Sequence, residues 1–307
     1  MPLEQSRRTL LVAAALLPLT GGRAEAAPRR AKDYYDDAAE LAGKDPVLRN
    51  LVKALSPGAQ MPEVKAPKPL KIFDNVAVVS TGFVSATALL SSGGVILLDA
   101  LGTPDEAKKI IVPQLRSLGV DPAKIKYVVA MHGHSDHFGG AQYLADRYGA
   151  RVMMTRADWK LVTTGSPARD LEIADGQRLT LGDTTIAFHH TPGHTPGTVS
   201  AIFPVRWKGR PHTAMLWGGT NPPTATAEKR TYVSSVLAFA AHMRRAGVDV
   251  ELNNHGLSDH GLVRMEQLRG NGGSANPFII GRSRAQRFMK VMEIMMRGRI
   301  ASDLEAG

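Results

Sequence analysis

The sequence predicts an α/β fold, because short apolar runs rich in β-branched residues alternate with segments of helical periodicity. Residues 95–98 and 126–130 are two such runs, and each has the length of a buried strand. A helical stretch at residues 141–148 stops at Gly149, and apolar residues near the carboxyl terminus recur at helical spacing. We therefore expect sheets whose faces are covered by helices.

Composition limits the range of partners. The chain has 307 residues, a formal net charge of +10 and no cysteine. A basic surface favours anionic small molecules by electrostatic steering. The sequence shows no stretch in which basic and aromatic residues alternate, and no known nucleic-acid-binding motif. We therefore expect a small-molecule substrate and no nucleic acid. Oligomeric state cannot be read from these features.

Residues 1–26 have the features of an export signal. The pair Arg7-Arg8 resembles the twin-arginine motif, an apolar stretch covers residues 10–19, and Ala24-Glu25-Ala26 fits a small-x-small cleavage site. The apolar stretch is too short to serve as a stable membrane anchor. We expect export to the periplasm through the twin-arginine pathway.

Residues 27–69 are predicted to form a helical extension followed by a linker. Helical periodicity covers residues 31–55 and stops at Ser56-Pro57-Gly58, and residues 61–69 are rich in proline and lysine. We expect this extension to pack beside the mouth of the active site, or to cover a sheet edge.

The hexapeptide from His132 to His137 is the most informative feature of the chain. It contains three imidazoles and one carboxylate, which cannot all lie on one helix face but can converge from a loop. Imidazole and carboxylate together are typical zinc ligands. The strand before the hexapeptide and the helix after it provide the context that a metal loop needs. We interpret the cluster as ligands for two adjacent metal ions.

The pattern His-x-His-x-Asp-His resembles the signature loop of the metallo-β-lactamase superfamily. The resemblance implies an αββα sandwich, with two mixed β-sheets flanked by helices, in a single catalytic domain at residues 70–307. It also implies the ligand sets. The first metal would be bound by His132, His134 and His194, and the second by Asp136, His137 and His255.

The remaining histidines have weaker contexts. Asp259 and His260 lie close to His255 in the sequence and could contribute to the second metal site in its place, and this alternative stays open. His189 and His190 are expected to end a strand, one buried and one exposed, and His212 and His242 have no ligand-like context. Asp99 ends a buried-strand run, and by resemblance it steadies the metal loop, although a strand-end cap is an equal alternative.

Two absences narrow the resemblance. Many hydrolases of the superfamily bridge the two metals with an aspartate that lies between the last two histidine ligands in the sequence. Between His194 and His255 the only aspartate is Asp249, which is too close to His255 to be that bridge. Two β-lactamase subclasses use a cysteine, which this chain lacks. The third subclass, with five histidines and one aspartate, is the most similar. Its substrate-binding serines are replaced here by Gly218-Gly219-Thr220-Asn221, so Thr220 and Asn221 are the predicted substrate-binding residues.

The resemblance implies a hydrolase that binds two Zn²⁺ per chain and opens the amide ring of β-lactams. A hydroxide that bridges the metals would be the nucleophile, and Asp136 would orient it. Two alternatives remain. One is a lactonase or esterase of the same fold, and the other is an iron-dependent oxygenase of the superfamily.

Overall fold

The structure is a computed structural model that describes residues 29–62 and 64–307. The predicted export signal at residues 1–26 lies outside the described residues. Twelve strands in the described part form two sheets. Their bounds are β1 Leu70–Phe73, β2 Val76–Ser80, β3 Ser85–Ser91, β4 Gly94–Leu98, β5 Ile125–Val129, β6 Arg151–Thr155, β7 Leu171–Ile173, β8 Arg178–Leu181, β9 Thr184–His190, β10 Val199–Trp207, β11 Arg210–Trp217 and β12 Val250–Asn253.

Both sheets are mixed, as predicted. The seven-stranded sheet has the order β1 to β7, with antiparallel pairs up to β4 and parallel pairs from β4 to β7. The five-stranded sheet has the order β12-β11-β10-β9-β8, and its β11–β12 pair is parallel. Each sheet therefore has one edge at which the carboxyl ends of parallel strands meet.

Ten α-helices of the described part cover the two sheets, and a π-helical segment, Ala107–Ile111, joins α3 to α4. Among the described helices, none combines the length and apolar character that a membrane crossing requires. The ten described α-helices have the bounds α1 Ala31–Ala42, α2 Pro46–Leu55, α3 Pro104–Glu106, α4 Val112–Ser117, α5 Ser135–Phe138, α6 Ala141–Tyr148, α7 Arg156–Trp159, α8 Thr226–Ala246, α9 Gly261–Gly270 and α10 Arg282–Ala306.

Alternating side chains on the strands build the layers. In β4, Ile96 and Leu98 belong to the core between the sheets, whereas Val95 and Leu97 pack with side chains of α4 and α6. The inner core also takes Phe188 from the second sheet. Each large apolar side chain buried in this way contributes about 1.5–3 kcal/mol. The predicted αββα sandwich is confirmed.

The outer face of the second sheet is covered by α8 and α10 together with the extension helices. Met215 of β11 shares a core with Leu51 of α2, Phe239 of α8 and Met292 of α10. The apolar residues predicted to form one face of the last helix are all buried there: Ala285, Phe288, Met289, Met292, Met295 and Met296. The last helix therefore packs on the sandwich, as the sequence favoured.

The extension contains two helices instead of one continuous stretch. Gly43 has a φ of 52°, and the Asp45 side chain accepts hydrogen bonds from the main-chain N–H groups of Val47 and Leu48 at 3.0 and 3.3 Å. A side-chain acceptor at this position begins a new helix, and Pro46 at its first turn needs no N–H partner. These helices pack on α10, while residues 61, 62 and 64 of the linker reach the cleft beside Asp136.

Candidate metal centre

The predicted ligands meet where the carboxyl ends of the parallel pairs β4–β5 and β11–β12 converge. Loops after β5, before β10 and after β12 supply them, and main-chain hydrogen bonds join these loops. The Val199 N–H donates to the Met131 carbonyl at 2.9 Å, and the Ser85 N–H donates to the Asn254 carbonyl at 2.8 Å. The loops are therefore fixed by both sheets.

The first cluster contains His132, His134 and His194. Their ligand atoms lie within 4.8 Å of one another, and the Nε2 atoms of His132 and His194 are 3.1 Å apart. The Nδ1 atom of His132 lies 2.7 Å from the Gly218 carbonyl oxygen, and that of His194 lies 2.8 Å from the Asn221 carbonyl oxygen. A carbonyl oxygen only accepts, so both Nδ1 atoms carry the hydrogen and both Nε2 atoms present lone pairs.

The second cluster brings together Asp136, His137 and His255. The Nε2 atoms of His137 and His255 are 3.1 Å apart, and an Asp136 carboxylate oxygen lies 3.2 and 3.5 Å from them. The His255 Nδ1 faces the Phe83 carbonyl oxygen at 3.1 Å, so it too carries the hydrogen. His132, Asp136 and His137 also have ligand atoms within 4.8 Å of one another, so the two clusters are contiguous.

The donor set fits divalent metal ions. In the first cluster, two lone pairs face each other at 3.1 Å with no hydrogen between them. This arrangement is repulsive on its own and becomes favourable when a cation lies among the donors. Metal-bound imidazoles commonly donate their other N–H to a carbonyl or carboxylate, as these do. Nitrogen-rich ligands with one carboxylate favour zinc over magnesium or calcium.

Burial and mutual repulsion keep most of these imidazoles neutral. Burial, together with the charges of His137, His194 and His134, lowers the pKa of His132 well below its usual value. Burial and the charge of His134 lower the pKa of His194 to about 4. Burial and the charge of His137 also lower the pKa of His255. These imidazoles are therefore deprotonated ligands at neutral pH.

His137 differs because carboxylates surround it. Although burial lowers its pKa, the charge of Asp99 and the hydrogen bonds to Asp136 and Asp99 outweigh that effect and raise the pKa to about 9. Conversely, burial raises the pKa of Asp136, but the hydrogen bond and the charge of His137 outweigh it and lower the pKa to about 2. The second cluster therefore favours positive charge, supplied by a proton or by a metal cation.

Asp99 is the carboxylate behind His137. It is fully buried, with one oxygen 2.8 Å from His137 Nδ1 and 3.1 Å from Asn254 Nδ2. Its other oxygen accepts from the Met131 N–H at 2.8 Å. A φ of 63° directs the side chain under the metal loop. The alternative in which Asp99 steadies the metal loop is thus the one that the structure supports.

Asp158, which the sequence did not indicate, joins the two loops of the first cluster. One of its oxygens accepts from the Gly133 N–H at 2.7 Å and from the Thr195 hydroxyl at 2.6 Å. The other accepts from the Gly197 N–H at 2.7 Å. Gly197 must be glycine, because a Cβ there would lie 2.0 Å from Thr155 Oγ1 and 2.6 Å from the Asp158 carboxylate. The only sequence signal was an aspartate shortly after a strand.

A buried ion cluster supports the loop that carries His255. The Arg264 guanidinium of α9 donates to Glu251 of β12 at 2.6 Å and also to Asp259, and all three side chains are buried. Burial and the charge of Asp259 raise the pKa of Glu251 well above its usual value. The segment between β12 and α9 is thereby fixed at both ends.

The structure places His255, and not His260, beside His137 and Asp136. His260 lies just before α9 and has a φ of 60°. Burial lowers its pKa, and so do the charges of Arg264 and Lys53, although the charge of Asp259 opposes them. Other candidates lie elsewhere. Asp249 pairs with His212 at 2.7 Å, His189 is half-buried against His242 at the end of β9, and His190 is exposed.

The two predicted substrate-binding residues differ in accessibility. Thr220 is only 1% exposed, and its hydroxyl exchanges hydrogen bonds with the Asn253 side chain at 2.8 and 3.1 Å. It therefore supports the turn before α8 and offers no free group at a surface. Asn221 is exposed, and its carbonyl oxygen already contacts His194. Of the two, only Asn221 presents a side chain to a ligand.

Comparison with protein families agrees with this arrangement. The family model described as the metallo-beta-lactamase superfamily matches residues 79–206. Curated relatives include a hydroxyacylglutathione hydrolase of Anaeromyxobacter dehalogenans, 33% identical over 138 residues, which are 43% of this chain and 47% of that protein. A hydroxyacylglutathione hydrolase of Acidiphilium cryptum is 38% identical over 80 residues, 26% of this chain and 31% of that protein. The chain thus spans less than half the length of these relatives.

Solved structures match over more of the chain. A metallo-β-lactamase of Cronobacter sakazakii is 27% identical, with a TM-score of 0.63 over 80% of this chain and 96% of that chain. A subclass B3 metallo-β-lactamase of Bradyrhizobium japonicum is 25% identical, with a TM-score of 0.63 and the same coverage, 80% and 96%. The structural likeness therefore extends over about four fifths of the chain.

Proposed function

This chain belongs to the metallo-β-lactamase superfamily, and we propose that it is a di-zinc hydrolase that opens the amide ring of β-lactams. One observation carries the proposal. Five imidazoles and the Asp136 carboxylate converge as two contiguous clusters, while Asp249, the only aspartate between His194 and His255 in the sequence, pairs with His212. The matched β-lactamase structures cover 78–80% of this chain and add support.

The reaction places separate demands on the bound metals and on the protein. When bound, the two zinc ions would polarise the amide carbonyl and lower the pKa of a water molecule to near neutrality. Asp136 is the residue that we assign to orienting that water, because its side chain is 29% exposed and lines the cleft. Although burial raises its pKa, the hydrogen bond and charge of His137 lower it to about 2, so Asp136 accepts a hydrogen bond at neutral pH.

Asn221 is the residue that we assign to the carboxylate of the β-lactam. Its side chain is exposed beside His194, and an amide N–H can donate to a carboxylate. Thr220 contributes indirectly in this proposal, because its hydroxyl is held by Asn253. A single donor at this position predicts weaker binding than a pair of hydroxyl groups would give.

A thioester hydrolase is the second candidate, because the curated relatives named above are hydroxyacylglutathione hydrolases. Their similarity covers 43% of this chain or less, in contrast to the 80% covered by β-lactamase structures. Lactones and esters present a similar carbonyl and stay as further substrates of the same chemistry. An iron-dependent oxygenase would require a different metal, so metal analysis separates it from all of these hydrolases.

The test is a direct comparison of substrates on purified protein of known metal content. We expect about two zinc ions per chain, and hydrolysis of penicillins, cephalosporins or carbapenems with a higher kcat/KM than for a hydroxyacylglutathione. Turnover of the thioester alone, with both zinc ions present, would make the second candidate the function. Iron as the bound metal, with no hydrolysis of either, would favour the oxygenase.

We also propose that the protein is exported to the periplasm through the twin-arginine pathway. The sequence of residues 1–26 supports this, and those residues lie outside the described part of the chain. Replacing Arg7 and Arg8 together by lysine should leave the precursor in the cytoplasm. Cell fractionation of the double variant measures this, and a processed periplasmic product would point to the general secretory route.

A further inference from the structure

A cleft of about 500 Å³ opens beside Asp136, on the side of the second ligand cluster. Its apolar wall includes Met61, Val64, Phe83 and Leu257. Clefts of this size hold small organic ligands, and their apolar walls bind the non-reacting part of the ligand. The position of Asp136 in the wall joins this cleft directly to the proposed reaction centre.

The linker is built into the cleft by a close approach to Gly82. Gly82 has a φ of 95°, and a Cβ at this position would lie 2.2 Å from the Val64 carbonyl oxygen. Only glycine permits this backbone and this approach. The Asn50 side chain of α2 donates to the carbonyl oxygen of Leu257, another residue that lines the cleft. The extension therefore contributes a fixed wall of the cleft.

Phe83 leaves an aromatic ring exposed at the cleft. Its side chain is 56% exposed, although its ring lies 4.9 Å from the ring of His255 in an edge-to-face contact. Exposed aromatic surface next to a reaction centre is covered when an apolar or aromatic ligand group binds, and such coverage is favourable. This position fits an aromatic side chain of a substrate.

Glu106 gives the cleft a negative charge. One of its carboxylate oxygens accepts from the Gly102 N–H at 2.7 Å, which holds the side chain against the cleft wall. Asp136 is the second carboxylate in that wall, and among the described residues that line the cleft none is lysine or arginine. A ligand group in this cleft therefore meets apolar surface and a carboxylate.

We propose that this cleft binds the acyl side chain of the substrate, that it prefers an aromatic group, and that Glu106 selects against a negative charge on that group. The inference rests on the proposed β-lactam hydrolysis and specifies which β-lactams are preferred. Ampicillin, benzylpenicillin and carbenicillin form a matched series, because their phenylacetyl side chains carry an ammonium, no charge and a carboxylate, respectively. Their ring carboxylate is the same, so only the side-chain charge differs.

The experiment measures kcat/KM for the three penicillins on the zinc-loaded protein. We expect ampicillin to exceed benzylpenicillin and benzylpenicillin to exceed carbenicillin, with on the order of tenfold between the extremes. Glu106→Gln keeps an acceptor for the Gly102 N–H but removes the charge, so the range should fall to about threefold or less. Glu106→Lys should reverse the order. The metal charge acts differently on the three side chains, but it is the same in the wild type and in Glu106→Gln, so it cancels when the ratios of the variant are divided by those of the wild type.

Glu40→Gln is the matched control, because Glu40 is exposed on α1 and is not among the residues that line the cleft. This variant changes the net charge by the same amount and should keep the wild-type order. Zinc content is measured for every variant, so that loss of metal is not mistaken for a change in selectivity. An unchanged range between ampicillin and carbenicillin in Glu106→Gln, with both zinc ions present, would overturn the assignment of Glu106.

A failure of the proposed function gives a different result. If the zinc-loaded protein hydrolyses none of the three penicillins, the dissociation constants of the intact compounds are measured by calorimetry. The same order of affinity, lost in Glu106→Gln, would support the subsite even though β-lactam hydrolysis was wrong. Equal affinities for the three compounds, or no binding of any, would overturn the subsite itself.

Discussion

The two ligand clusters are held by different kinds of groups. In the first cluster, the Nδ1 atoms of His132 and His194 face main-chain carbonyl oxygens, which carry no net charge. In the second, His137 faces the buried carboxylate of Asp99, and its pKa is raised to about 9 although burial lowers it. In the first cluster these two imidazoles are therefore held directly by neutral carbonyl oxygens, whereas the second cluster combines one such contact, from Phe83 to His255, with the charge of Asp99 on His137. Substitutions should affect the two clusters separately.

The largest effect is expected from Asp158→Ala. This change leaves the buried N–H groups of Gly133 and Gly197 without an acceptor, and it separates the two loops of the first cluster. We expect the free energy of unfolding to fall by about 2–4 kcal/mol, and the first metal to be lost. Urea unfolding and zinc analysis measure these effects.

Asp158→Asn is the graded control, because the amide keeps one acceptor oxygen and should give an intermediate loss of stability. Thr103→Ala, which removes the N-cap of the short helix α3, should retain both metals. Selective loss of the second metal in Asp158→Ala would contradict the division of the two clusters.

His255→Ala should empty the second metal position and leave the first occupied. His255 provides one of the two imidazoles of the second cluster, and its Nε2 atom lies 3.1 Å from that of His137. No neighbour among the described residues replaces it. His260→Ala is the matched control, since that side chain lies at the start of α9, and both metals should be retained. Zinc stoichiometry and cobalt absorption spectra distinguish the positions. Loss of a metal from His260→Ala alone would restore the alternative that the sequence left open.

Asp99→Asn tests the role of charge in the second cluster. The amide has nearly the same shape, but it removes the negative charge from behind His137 and can place an N–H against the His137 N–H. Groups that support metal ligands typically alter affinity by about 10–100-fold, so we expect a loss of this size at the second position. The metal affinity of the first position should change little. Competition with a chelator measures both affinities, and equal losses at both positions would argue against separate support.

Asn221→Ala should have the smallest effect on metal binding, because it should change substrate binding and spare the metals. His194 contacts the main-chain carbonyl of Asn221, which alanine retains, so zinc content should stay at the wild-type value. Loss of one hydrogen bond to a substrate carboxylate costs roughly 1.5–3 kcal/mol, so KM for β-lactams should rise about ten- to a hundredfold. Steady-state kinetics and zinc analysis test both parts. A loss of zinc would mean that the side chain, and not the carbonyl, positions His194.

Much of the fold could be predicted because periodicity is a local property. The strand at residues 126–130 and the apolar face of the last helix follow from side-chain spacing alone, and both are present. The division of the extension into α1 and α2 was missed. There, Gly43 and the Asp45 cap break a pattern that looks continuous when only apolar spacing is considered.

By itself, the sequence indicated a resemblance to the metallo-β-lactamase superfamily, the layers of the sandwich and the six candidate ligands, because a dense hexapeptide and two histidine loops are visible without coordinates. Tertiary structure decided between His255 and His260, buried Thr220, and brought Asp158, Glu106 and the linker to the site. These contacts join residues far apart in the chain, and hydrogen bonds of this kind leave no periodic trace. Local chemistry therefore identified the ligands, and only the folded chain showed what holds them and what surrounds the substrate.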